Sequence, residues 1–379
     1  MKVLIAIDSF KGSLTSLEAG RAAERGILRA MPDADVTVKP LADGGEGTAE
    51  ALITGMGGRG QSVMVHDPLG REITAEYGIL PDGTAVMEMA AAAGLTLLGE
   101  DERDIMSAST CGVGEMIADA VSKGCHDFII GIGGSATNDG GAGCLQALGF
   151  GLFDGNGAHI SRGARGLADL AEITADGALP QLRDCRFRVA CDVKNPLCGE
   201  KGCSRVFAPQ KGAAEEDIPL MDGWLGHYAE TMKRTFPQAD PNCEGAGAAG
   251  GMGFALMFAL GAELRSGAEL VMEAVAMEQA VQQADIVVTG EGCLDGQTAM
   301  GKAPAVLAAL AKKYGKPVLA FGGAVGRGAE LLREKGIDAC FSIQTRPCTL
   351  AEAMNSRTAA ENLSKTAEQV FCIVKIASS

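Results

Sequence analysis

Six short loops carry most of the residues whose types and spacing can do chemistry. The densest is residues 131–141, GIGGSATNDGG, with five glycines that let backbone N–H groups approach a ligand with no Cβ in the way. Ser135, Thr137 and Asn138 add side-chain donors to Gly133 and Gly134, and Asp139 adds a carboxylate. The loop follows an apolar run, residues 128–130, that reads as a buried parallel strand. Glycine loops at the carboxyl ends of such strands suit an anion, and phosphate above all. Taken alone, the segment reads equally well as a glycine-rich turn with an N-cap.

Four of the other five loops gather charge. Lys11 sits in residues 8–13 with Asp8, Ser9, Gly12 and Ser13, at the mouth of one strand and just before a helix. A lysine so placed pairs with phosphate or carboxylate. Residues 43–48 combine Asp43 and Glu46 with three glycines, a set that can hold magnesium, orient substrate hydroxyls or simply cap a helix. In residues 191–197, Asp192 and Asn195 can bind a metal or hydroxyls and Lys194 a phosphate; the alternative is an Asx turn before Pro196. Glu291, Asp295 and Lys302 cluster where a further strand runs into a helix. The sixth loop, residues 245–253, satisfies G-x-G-x-x-G at its start but follows Pro-Asn-Cys-Glu instead of a strand. Residues 296–303 stop one residue short of a P-loop, because Ala303 replaces the hydroxyl residue that would hold magnesium.

The elements that must position these loops alternate at both chain ends. Residues 3–7, 36–38, 286–288, 318–321 and 339–343 read as strands. Helices are expected from Thr15 or Ser16 to about Arg29 and over 302–313, 328–335 and 349–376. Such alternation implies right-handed βαβ crossovers in a parallel sheet. The middle differs: residues 61–66, 71–78 and 84–89 are short strands separated by Asp-Pro-Leu-Gly and Pro-Asp-Gly turns, which suggests an antiparallel meander. A further strand lies at 186–190 and a longer helix near 215–234. The expected fold is α/β: a flavodoxin-like parallel-sheet domain formed by both chain ends (1–60 and 283–379), with a second α/β domain of mixed sheet inserted at 61–282. The active cleft is expected between them.

At 379 residues the chain exceeds what one core usually serves, so two domains are the prior. A net charge of −15 opposes nucleic acid and anionic membranes, and 4% aromatics leave little for base stacking. No apolar run reaches membrane-spanning length and the first apolar run is too short for an export signal, so a cytoplasmic protein is expected. Twelve scattered cysteines then read as free thiols. The four histidines show no ligand spacing, and no G-x-S-x-G elbow is present.

Taken together, the loops at 8–13, 42–48, 131–141, 192–197, 245–253 and 290–298 resemble those of the type I glycerate kinase family, in order and over essentially the whole chain. The resemblance implies ATP-dependent phosphorylation of D-glycerate, on the 2-hydroxyl in bacterial members, and a two-domain layout. Phosphoryl transfer needs positioning, charge neutralisation and magnesium. Asp192 or Asp295 is expected to orient or deprotonate the glycerate hydroxyl, with Lys11 and Lys302 supplying positive charge. Ser13, Asp43, Gly133, Gly134, Ser135, Thr137 and Asn138 are expected on substrate or phosphate, and Asp43 and Glu46 on Mg2+. Glycerate and ATP are the expected partners. Phosphorylation at the 3-hydroxyl is one alternative. The other is a nicotinamide-dependent dehydrogenase, in which residues 131–136 serve as G-x-G-x-x-A and an acid near Asp154 binds ribose.

Overall fold

The computed structural model describes residues 1–45 and 47–377. It comprises two compact units, one of residues 1–43, 50–56 and 267 onward, the other of residues 44–49 and 57–266. In chain order the strands are β1 (Lys2–Ile5), β2 (Asp35–Val38), β3 (Arg59–His66), β4 (Glu72–Ile79), β5 (Ala85–Glu88), β6 (Asp127–Gly131), β7 (Gly151–Asp154), β8 (Leu170–Thr174), β9 (Arg186–Ala190), β10 (Glu263–Arg265), β11 (Ile286–Leu294), β12 (Val318–Val325) and β13 (Ala339–Ser342).

The first unit holds a five-stranded, all-parallel sheet in the order β13-β12-β11-β1-β2. Counted within the unit this is the flavodoxin-like order, whose direction of winding reverses between β1 and β11. Residues 3–7 are almost wholly buried because helices cover both faces of the central strands, which is why they read as one apolar run. Pairing continues beyond β1: the Asp8 N–H donates to the Gly290 carbonyl at 2.8 Å, so Asp8 is delivered to the carboxyl end of the sheet. Thr15 closes a capping box with Glu18 and starts the helix Ser16–Ala30. That helix packs along Ser356–Ala377, with a tight approach at Gly26, where a Cβ would lie 2.0 Å from the Ser364 carbonyl oxygen.

Two expected helices are shorter than their sequence patterns. Residues 328–335 form only the 3-10 turn Ala329–Arg333, bracketed by Gly328 and Gly336, both with positive φ. The stretch 349–376 is split into Leu350–Ala353 and Ser356–Ala377, because Asn355 turns its side-chain oxygen onto the Thr358 N–H and restarts the chain as a cap. The helices Gly267–Ala274 and Met277–Gln283 pack on Ala303–Lys313, and the second also on β1. The C-terminal part of the first unit therefore begins at Gly267, ahead of the expected residue 283.

The second unit has a six-stranded mixed sheet, β10-β9-β6-β5-β4-β3. β3, β4 and β5 form the antiparallel meander, while β5, β6, β9 and β10 run parallel. β7 and β8 pair separately. Phe128 on β6 stacks on Phe187 of β9 with ring centroids 4.7 Å apart, in a core built mainly from aliphatic side chains. All twelve cysteines are free thiols. Among the described residues no helix is long and apolar enough to cross a membrane.

Gly26 offers a direct check on the first unit. Gly26→Ala forces the two long helices apart or distorts them, and thermal unfolding is expected to show a loss of about 1–3 kcal/mol. An unchanged melting temperature would mean that this helix pair does not hold the unit together.

Candidate active site

At the carboxyl ends of β1 and β11 the first unit collects acids and lysines. Asp8 is 5% exposed and accepts the Ser9 N–H at 2.6 Å. Burial, reinforced by the negative charges of Asp43 and Glu291, pushes its carboxyl up to about 7. Glu291 is also buried and is raised by the same desolvation; Thr298 donates its hydroxyl to it, and the Lys302 ammonium lies 3.5 Å away. Lys11 is exposed and stands 3.8 Å from Asp43. Ser13 holds a buried hydroxyl with no hydrogen-bond partner among the described residues. Asp295 accepts the N–H groups of Gln297 and Thr298 at 2.8 and 3.3 Å, and so shapes the turn that leads to Lys302. Lys302 is itself the residue before the first turn of the helix Ala303–Lys313. Of the expected residues, Lys11, Ser13, Asp43, Asp295 and Lys302 thus all belong to this unit. Glu46 lies outside the described residues.

The second cluster surrounds residues 131–141 in the other unit. Gly133 and Gly134 are the exposed tip, Gly134 with φ +73°, and their N–H groups donate to no protein group among the described residues. Consecutive free N–H groups around a left-handed residue make an anion-binding concavity. Gly44 and Ala49 lie alongside: a Cβ on Gly131 would sit 2.9 Å from the Gly44 carbonyl oxygen, and Glu88 accepts the Ala49 N–H at 2.9 Å.

Below the tip, the loop is held from inside. Thr137 and Asn138 are fully buried; Asn138 donates to the Ser204 hydroxyl at 2.9 Å. Asp139 accepts from the Thr110 N–H and hydroxyl and from the N–H groups of Gly141 and Gly143, at 2.8–3.2 Å. It is an internal clamp, not a ligand group, and burial pushes its carboxyl upward. Residues 245–253 form a second clamp and no nucleotide fingerprint. Gly250, at φ +66°, approaches so closely that a Cβ would lie 2.1 Å from the Thr137 carbonyl oxygen. Asp192 and Lys194 are exposed, Lys194 paired with Glu244 at 3.0 Å, while Asn195 donates to the Lys201 carbonyl. Asp154, the acid that a dinucleotide site would need, instead accepts the N–H groups of Asn156 and Ala158 in its own turn.

Three participants escaped the sequence reading. Asp8 and Glu291 belong to the loops at 8–13 and 290–298, but only the pairing of β1 with β11 reveals that they share a buried environment. Lys211 had no signal at all. It is 3% exposed and donates to the Ser135 hydroxyl and the Thr137 carbonyl, both at 2.7 Å, 76 and 74 residues away in sequence. Desolvation lowers its ammonium to about 8.

His66, Cys111 and Glu115 are the one group among the described residues whose three ligand atoms lie within 4.8 Å of one another. Glu115 already accepts the His66 N–H at 2.7 Å and faces His66 Nδ1 at the same distance, and burial pushes the Cys111 thiol up to about 12. Cys111 in turn donates its thiol to Glu115 at 3.5 Å, so the three side chains satisfy one another.

The Asp8 environment predicts a pH effect with a definite sign. Its folded value lies above the ordinary 3.8, so its contribution to stability is complete below about pH 4 and is lost as pH rises through 7. Asp8→Asn removes that loss. Melting curves should show the variant gaining on the parent by a few degrees between pH 5 and pH 8. A constant difference across that range would show that Asp8 is not held protonated.

Comparison with known proteins shows the family. The model of the glycerate kinase family matches residues 3–375. The chain is 46% identical over 377 residues to the glycerate 2-kinase of Escherichia coli K12, covering 99% of this chain and 98% of that one. It is 45% identical to the glycerate kinase of Bacillus subtilis 168, covering 100% and 98%. The fold superposes with a TM-score of 0.93 on a crystal structure of a candidate glycerate kinase 2 from Salmonella typhimurium LT2, at 44% identity and with 100% and 99% coverage. The chain therefore belongs to the glycerate kinase family, and is a phosphotransferase that acts on an alcohol group.

Proposed function

We propose that this chain transfers the γ-phosphoryl group of cytoplasmic ATP to the 2-hydroxyl of D-glycerate, giving 2-phosphoglycerate and ADP. The observation that carries the reading is the buried carboxylate Asp8, poised near 7, among Asp43, Glu291, Lys11 and Lys302 at the switch point of a parallel sheet. The name of the Escherichia coli relative supports the choice of the 2-hydroxyl.

In this reading Lys11 and Lys302 neutralise charge on the phosphates, and Ser13 offers its unpartnered hydroxyl. The glycerate hydroxyl gives its proton to a carboxylate as its oxygen attacks the γ-phosphorus and the bond to the β-phosphate oxygen breaks. Asp192 and Asp295 are candidates for that carboxylate. Asp8 is the stronger one, because Asp295 is engaged by two backbone N–H groups and Asp192 is exposed.

The donor set suits magnesium, which takes one or two carboxylates and completes its shell with phosphate and water. Asp43 and Glu291 would hold it. Repulsion among the acids around Asp8 is the kind a cation relieves. When bound, the ion supplies neutralisation of charge on the phosphate oxygens. The tip at Gly133, Gly134 and Ser135 is, within its own unit, a candidate for an anionic group.

Mixing the protein with ATP, Mg2+ and D-glycerate should release ADP, and phosphorus NMR should show a phosphate ester on the secondary hydroxyl. A primary ester would overturn the regiochemistry, and absence of ADP would overturn the kinase. Asp8→Asn should lower kcat by about 10²–10⁴-fold. If Asp192→Asn or Asp295→Asn shows that loss while Asp8→Asn does not, the base is misassigned.

A further inference from the structure

The contact between Lys211 and Ser135 has a directional consequence. An ammonium has donors and no acceptor, so the Ser135 oxygen must accept from Lys211 at 2.7 Å. The hydroxyl proton of Ser135 is thereby turned away from Lys211, and no protein group among the described residues accepts it. Next to it in sequence stand the exposed, undonated N–H groups of Gly133 and Gly134. Three donors without acceptors are thus consecutive in the chain, and the bond from Lys211 to the Thr137 carbonyl fixes the backbone that follows them.

We propose that residues 133–135 are the receptor for the carboxylate of the acceptor substrate, and that Lys211 is the positioning residue that holds the Ser135 hydroxyl as a donor toward it. The inference rests on the kinase reading and extends it by assigning one ligand group to one loop. Charge matching favours a carboxylate here over a triphosphate. This loop offers neutral donors backed by a single buried cation, which suits one negative charge. The Asp8 cluster, with two lysines and three acids, is equipped for phosphates and their metal. Lys211 is itself too buried to touch the ligand and acts through Ser135 and Thr137.

The test is a double-mutant cycle on the full chain, with KM measured separately for glycerate and ATP. Ser135→Ala and Lys211→Met should each raise KM for glycerate about tenfold or more, the range for losing a hydrogen bond to a charged group, and leave KM for ATP within about twofold. Because Lys211 acts through Ser135, the double variant should resemble the worse single one, whereas a purely structural lysine would give multiplying effects. Lys211→Gln, which keeps a donor, should recover part of the loss. If Lys211→Met does not fold, Ser135→Ala and Lys211→Gln still decide the matter. With glyceramide, whose neutral carbonyl accepts a weaker hydrogen bond than a carboxylate, Ser135→Ala should make a smaller difference than with glycerate.

An unchanged glycerate KM in Ser135→Ala, a rise in ATP KM instead, or multiplicative effects would overturn the proposal. These failures require an active parent enzyme, so they are distinct from the failure of the kinase reading, in which the parent itself releases no ADP.

Discussion

The parallel pairing of β1 with β11 is the constraint from which the chemistry of the first unit follows. The register that sets Val3 against Ile286 and Ile5 against Val288 continues until the Asp8 N–H meets the Gly290 carbonyl. One residue further along β11 stands Glu291. Two acids on distant parts of the chain are therefore carried to the same sheet end, where the sheet changes its direction of winding. Because both strands are buried on both faces, the carboxylates arrive with little water; desolvation raises both, and Asp43 and Glu291 add to the cost of ionising Asp8. The acid-rich, lysine-flanked cluster is thus a product of sheet topology and burial together.

The second unit reaches a comparable end by different means. Its glycine loop leaves β6, which is flanked by parallel β5 and β9, but the loop's shape does not come from glycine alone. Asp139 binds four donors from two segments, Gly250 presses on the Thr137 carbonyl and Lys211 bridges two loop oxygens. A flexible segment held by a buried carboxylate and a buried ammonium becomes a rigid one, and rigid donors bind an anion without paying to be ordered. Only its two-glycine tip is left exposed.

Local signals made the frame legible. Continuous apolar runs marked β1, β6 and β11, turn dipeptides marked the meander of β3 to β5, and Thr15 with Glu18 marked the start of the first helix. The loops that end these strands could be named because glycine and acid cluster there. What stayed hidden depends on contacts far apart in sequence. Lys211 lies in an unremarkable Pro-Gln-Lys-Gly segment, and nothing local says that its ammonium is buried under residues 135–137. Asp139 looked like a ligand carboxylate because its partners Thr110 and Gly143 come from the packing of two helices. The near-fingerprint at 245–250 follows no strand in the sequence, and its glycines serve close backbone packing.

The central claim is that the charged cluster of the first unit receives the phosphates and the glycine tip of the second receives the carboxylate. A crystal structure with a non-hydrolysable ATP analogue, Mg2+ and D-glycerate tests it most directly. Triphosphate oxygens are expected against Lys302 and Lys11, the metal on Asp43 or Glu291, and the glycerate carboxylate on the N–H groups of Gly133 and Gly134 with the Ser135 hydroxyl. Triphosphate on residues 133–135, with glycerate among Lys11, Asp43 and Lys302, would contradict it.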